Sequence, residues 1–89
     1  MATVVFAAAI QRHVACPPQD VSAANVRAAI DAALEDKNEL RGYILDDQGR
    51  LRKHVAIFVD GNMIRDRAEL SDLVHLHSEV FVVQALSGG

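Results

Sequence analysis

The chain has 89 residues, 51% of them hydrophobic, with three Phe, one Tyr and no Trp, so one small domain must bury a core made mostly of Val, Ala, Leu and Ile. Nine Lys and Arg stand among twelve Asp and Glu, a formal charge of −3, which argues against nucleic acid as the main partner because such surfaces carry a basic patch with stacking aromatics. No apolar run reaches membrane-span length and no signal-peptide pattern opens the chain. Cys16 is the single cysteine, which excludes an internal disulfide and a cysteine-based zinc site, so a cytoplasmic protein with no membrane partner is expected.

In chain order, Thr3 to Ile10 is apolar and β-forming at its start, and predicts a first strand. Gln11-Arg12 would turn the chain into a short second strand, His13-Val14-Ala15, stopped by Pro17-Pro18, which remove ladder donors. Ser22 is the expected N-cap of a helix whose stripe is Val26, Ala29, Ile30, Ala33 and Leu34, ending near Asp36-Lys37-Asn38. Arg27, Asp31 and Glu35 lie off that stripe, so the helix covers something with one face only.

Tyr43-Ile44-Leu45 reads as a short strand, followed by a turn at Asp46-Asp47-Gln48-Gly49. Val55-Ala56-Ile57-Phe58-Val59 is the clearest strand, and Asp60-Gly61 after it is a hairpin signal for a type I′ turn, whose two central residues need positive φ. Asn62 to Arg65 would return, Leu70 and Leu73 would make a packed turn, and Val80 to Ala85 would close the sheet. Hairpin, helix, strand, hairpin, strand is the order of an α+β domain of the β-grasp (ubiquitin-like) type: one domain over 1–89, a mixed sheet of four to five strands, and one main helix.

Alternation places Val55, Ile57 and Val59 on one face of their strand and Ala56 with Phe58 on the other; Val80 and Val82 likewise oppose Phe81 and Val83. Both faces are apolar and one helix covers only one of them. Phe58, Phe81 and Val83 are therefore the expected partner surface, unless the segment 36–54 folds over it.

The chain closes on Leu86-Ser87-Gly88-Gly89, an extended tail over 86–89. Two residues without Cβ can lie in a channel too narrow for any side chain, carrying a terminal carboxylate into a partner's active site. The alternative for the same residues is a frayed end or a cloning scar.

Taken together, His54-Val55-Ala56-Ile57-Phe58-Val59-Asp60-Gly61, Arg65, the Leu-rich 70–76, Glu79-Val80 and Gly88-Gly89 resemble the MoaD/ThiS family of ubiquitin-like sulfur carriers, over nearly the whole chain and best from Leu51 onward. The family's Gly-Asp before Glu-Val is His77-Ser78 here, and the prolines common before the terminal glycines in the molybdopterin branch are absent. Asp46-Asp47-Gln48-Gly49-Arg50-Leu51-Arg52 is closer to the longer carriers that feed cysteine synthesis.

The resemblance implies a carrier and not an enzyme. A ubiquitin-activating-type adenylyltransferase using ATP and Mg would adenylate Gly89, a sulfur donor would convert it to a thiocarboxylate, and a sulfur-accepting biosynthetic enzyme would take the sulfur. Gly88 would pass the channel, with Leu86 and Ser87 docking the tail; the chain itself binds no cofactor and no metal. A ubiquitin-like modifier joined through Gly89 to protein lysines, or a non-activated interaction module, are the alternatives.

Three further groups bear chemistry. Cys16 with His13 three residues away could make a nucleophile pair, though no orienting residue is legible beside them. His75-x-His77 would put two imidazoles on one face of a strand, with no third ligand in reach by sequence. Arg50, Arg52 and Lys53 form a basic stripe for phosphate, flanked by Asp46 and Asp47, which favour a solvated, self-paired turn.

Overall fold

The computed structural model describes residues 1–12 and 15–84. Among these residues, five strands form one sheet in the order β2-β1-β5-β3-β4. They are β1 (Ala2–Phe6), β2 (Gln19–Val21), β3 (Val55–Val59), β4 (Asn62–Met63) and β5 (Glu79–Gln84); the helices are α1 (Ala8–Gln11), α2 (Val26–Ala33) and α3 (Asn38–Ile44). β5 is central, parallel to β1 and antiparallel to β3. This is the expected β-grasp arrangement.

The core lies on one face of the sheet. Val4, Phe6, Ile57, Val80 and Val82 point from β1, β3 and β5 against the α2 stripe of Val26, Ala29, Ile30, Ala33 and Leu34, all buried. Burying one such Val, Leu, Ile or Phe side chain is worth about 1.5–3 kcal/mol, an upper bound because a real unfolded chain already hides some apolar surface. Leu40 and Ile44 of α3, four residues apart on one helical face, complete that layer.

Several local expectations give way to tertiary context. The first strand stops at Phe6: Ala7 N–H still bonds to β5 at Val82 O (2.9 Å), and the alanine run then turns helical, which sends Ile10 into the core. The second strand lies after the prolines, not before them. Pro17 and Pro18 have no N–H to give, so pairing with β1 begins at Gln19, in the register Ala2↔Val21; His13 and Val14 lie outside the described residues. Tyr43-Ile44 is helical instead of extended: α3 runs on to Ile44 and carries Leu40 and Ile44, one turn apart, into the core. Leu45 alone is extended, bridging to Leu51.

Asn25, not Ser22, caps α2. Its Oδ1 accepts from Ala28 N–H (2.8 Å), while Ser22 belongs to the segment between β2 and the helix, where the Ala24 carbonyl accepts from Val74 N–H (3.0 Å). The helix ends at Ala33, three residues before the expected stop. The return strand is shorter than expected, because the Arg65 and Asp66 N–H groups turn away to the Asp72 carboxylate. Leu70 is buried as expected, but Leu73 is 70% exposed: only its backbone engages, in a bridge to Asn25.

Polar groups seal the covered face. Arg27 of α2 donates from Nη2 to Gly49 O (2.6 Å) and Ala68 O (3.2 Å) and from Nε to Glu69 O (3.3 Å), tying the helix to two loops. Arg67 Nη2 donates to Arg52 O (2.7 Å) and Val55 O (2.8 Å). Asp66 accepts from Ser71 Oγ and from the N–H groups of Glu69, Ala68 and Ser71. Those bonds, the Ser71 hydroxyl first and Glu69 N–H next, hold its carboxyl down at about 2.

Candidate functional site

Directly paired residues of neighbouring strands share a face, so register alone builds the uncovered side of the sheet. Phe81 of β5 stands opposite Val5 of β1 and Phe58 of β3, and Phe58 stands opposite Met63 of β4. These four make an apolar stripe across four strands, about 14 Å long at the usual strand spacing. Val83 pairs with Ala56 one step along, toward the end of β5.

Phe58, Phe81, Val83 and Val5 remain half-buried, and Met63 is 57% exposed. The expected surface of Phe58, Phe81 and Val83 is thus brought together on one face, and Val5 and Met63 extend it. The segment 36–54 does not close over it: Leu40, Ile44, Leu45 and Leu51 join the core cluster on the covered side. The strict alternation of β1, with Ala2, Val4 and Phe6 inward, was the signal that could have placed Val5 here.

The tail calls on Leu86, Ser87, Gly88 and Gly89 lie outside the described residues. Their root is defined. Gln84, paired with Val55, accepts a hydrogen bond from Tyr43 OH at Oε1 (2.9 Å), and the Tyr43 ring meets His54 edge-on at 4.7 Å.

At the opposite end of β5 the chain enters through His77-Ser78. His77 takes φ +73°, a conformation that glycine adopts without strain, so a histidine occupies a left-handed position at the step where the resembled pattern has glycine. Ser78 is buried, receives His75 N–H at its Oγ (3.0 Å) and donates that hydroxyl to Asp60 Oδ2 (2.8 Å). Asp60 Oδ1 accepts from Glu79 N–H (2.9 Å); this bond first, then the Ser78 hydroxyl and the His75 charge, hold the Asp60 carboxyl below its ordinary value. Asp60 (φ +50°) and Gly61 (φ +85°) form the expected turn between β3 and β4, so one residue serves both hairpin and strand entry.

The other chemical candidates fare differently. Cys16 is fully buried, and burial pushes its thiol up, with Lys37 opposing weakly; Sγ faces Pro17 O at 3.7 Å. His75 and His77 are exposed in a turn and not on a strand, because the His77 backbone is left-handed. No group of three or more His, Cys, Asp or Glu among the described residues is arranged to hold a metal. Arg50 is self-paired as expected, with Gln48 and with Asp46 at 3.7 Å. The Arg50 N–H above all, then Gln48 N–H and the charges of Arg50 and Arg52, hold the Asp46 carboxyl below its ordinary value.

No helix among the described residues is long and apolar enough to cross a membrane. No protein-family profile and no curated protein matches the chain in sequence. Solved structures do match. CysO in the BexX/CysO complex of Amycolatopsis orientalis superposes with a TM-score of 0.81 at 17% identity, over 100% of both chains. The small archaeal modifier protein 1 of Methanosarcina acetivorans gives 0.80 at 20% identity, over 99% of this chain and 95% of that one. The corresponding protein of Haloferax volcanii gives 0.77 at 21%, over 99% and 98%. The chain therefore has the fold of the ubiquitin-like proteins that its sequence resembles.

Proposed function

We propose that this chain is a sulfur carrier that works through a thiocarboxylate on Gly89. The observation that carries the reading is the construction of β5: its outward residues Phe81 and Val83 lie in an open apolar face, and the same strand runs on in sequence to Leu86-Ser87-Gly88-Gly89. A partner that docks on that face is positioned to receive the tail.

In the proposed chemistry an adenylyltransferase brings the Gly89 carboxylate oxygen to the α-phosphorus of Mg-bound ATP, expelling pyrophosphate. A sulfur donor then displaces AMP from the acyl carbon, and the resulting thiocarboxylate is anionic and nucleophilic for the reason a thiolate is. The chain contributes a tail, a docking face and a carried sulfur, while the partner supplies the activating electrostatics. Gly88 passes the narrow channel, and Leu86 with Ser87 docks the tail. A cysteine-synthesis acceptor is the favoured branch, on the 46–52 segment and the likeness to CysO, a protein solved in complex with BexX; molybdopterin and thiazole acceptors are the other members of this class.

Conjugation of Gly89 to lysine is the second reading, supported by the equal likeness to proteins named as small archaeal modifiers. Intact-mass analysis of the protein from its native host separates the two. Exchange of one oxygen for one sulfur, mapped to Gly89, is expected of the carrier; an isopeptide link to lysine is expected of the modifier. Gly89→Ala should abolish activation in both. An acid that stays unmodified with ATP, sulfide and every candidate activating enzyme would overturn both.

A further inference from the structure

A second surface lies beside the root of the tail, and the docking face does not include it. A groove of about 600 Å³ is lined by Arg50, Arg52, Lys53, His54 and Arg67, with Asp46 the one carboxylate among the described residues that line it. It gathers four of the nine Lys and Arg of a chain that is negative overall, and one of the twelve Asp and Glu. The cations arrive from two separate segments: the turn that leads into β3, and the loop fastened to it by Arg67.

His54 links this groove to the tail. Its ring packs on Tyr43, and Tyr43 in turn holds Gln84. His54 Nε2 is enclosed without a hydrogen-bond partner among the described residues, and Lys53 is exposed. A concentration of positive charge on an acidic molecule orients approach to a negative surface, and does so beside the point where the tail must enter.

We propose that this groove docks a carboxylate-rich segment of the protein that receives the tail, setting the rotation of the carrier about its tail; the partner's identity rests on the carrier reading, the groove does not. Protein carboxylates fit better than a phosphate ligand. Arg52 Nε is committed to Gly42 O (2.7 Å), Arg67 Nη2 to two carbonyls, and Arg50 pairs with Gln48 and Asp46, so each guanidinium has single contacts left to offer and the groove holds no cluster of donors converging on one phosphate. Cations strung along an open groove match several carboxylates in succession.

The test is a titration of the isotope-labelled full chain with hexaglutamate, followed by backbone amide shifts, with inorganic pyrophosphate in parallel. Shifts confined to 46–55 and 67–68, lost on raising salt, are expected. The double substitution Arg50→Gln, Lys53→Gln, at two exposed side chains, should weaken hexaglutamate binding roughly fivefold with the remaining amide spectrum intact. No shift, shifts centred on Phe58 and Phe81, or an unchanged affinity in the double variant would overturn the proposal. So would pyrophosphate binding more tightly than hexaglutamate at the same amides, which would mark a phosphate site. The titration reads no chemistry at Gly89, so its failure leaves the carrier reading standing, and a Gly89 that is never activated leaves the groove standing.

Discussion

The two faces of one sheet have nearly the same composition and opposite fates. Ile57 and Val82 face α2 and are fully buried; Phe58 and Phe81, one residue away on the same strands, stay half-exposed. Hydrophobicity alone does not distinguish them. The covered face is closed by helices, with Arg27 fastening α2 to the loops at 49 and 68–69 and Arg67 fastening its own loop to the entry of β3, while Phe58, Phe81 and Val83 on the other face keep part of their surface in solvent. Stability is thus concentrated on one side, and the other is left available for recognition.

The sharpest way to break that contrast is on β3. Ile57→Ala should cost about 2–5 kcal/mol, from lost transfer energy and the cavity left behind. Thermal unfolding of a domain this size should fall by about 4–8 °C per kcal/mol. Arg27→Ala comes next, at about 1.5–3 kcal/mol for the loss of charged hydrogen bonds to Gly49, Ala68 and Glu69, with hydrogen exchange rising first in the loops at 46–50 and 66–70. Lysine there should rescue little, since it cannot reproduce the guanidinium geometry.

Phe58→Ser, beside Ile57 in sequence, should cost no more than about 1–2 kcal/mol because it empties no enclosed site. On the proposed carrier reading it should nevertheless suppress adenylation of Gly89. An Ile57→Ala effect no larger than that of Phe58→Ser would collapse the distinction between the faces.

Smaller still, His77→Gly should stabilise the chain by about 1 kcal/mol by relieving a left-handed backbone, read as a higher denaturant midpoint. On the pH axis, the Asp66 carboxyl falls from an ordinary value near 4 to about 2 on folding. Its contribution is therefore complete above pH ~4 and lost as pH drops toward ~2. Carboxyl-carbon NMR should find Asp66 titrating near 2, and Ser71→Ala should move that midpoint upward; a midpoint at the ordinary value in the parent would show that the loop is not braced this way.

What the sequence disclosed was local. Val55–Val59 and Asp60-Gly61 were legible because alternation and the positive-φ demand of a tight turn are properties of neighbours. The α2 stripe was legible for the same reason. Tyr43-Ile44 is helical against its local β preference because it forms the last turn of α3, and a preference of two or three residues is weak beside the helix they complete. The second strand was displaced because pairing begins only beyond the two prolines. In the candidate site, Phe58, Phe81 and Val83 followed from alternation, but the meeting of Arg67 with Arg50–His54 did not: it depends on hydrogen bonds spanning more than ten residues of chain.

The central place of β5 has one more consequence. Its neighbours β1 and β3 are synthesised well before it, yet they do not pair with each other; residues 79–84 must slot between them to complete the sheet. A nascent chain still threaded through the ribosome at that point has two half-sheets and no seam, and long-range pairing of this kind is slow to form. A molecule truncated before β5 cannot present the Phe81 side of the face at all. Only chains made through β5 can assemble the Phe58–Phe81 surface, so the topology itself ties that face to completion of the sheet.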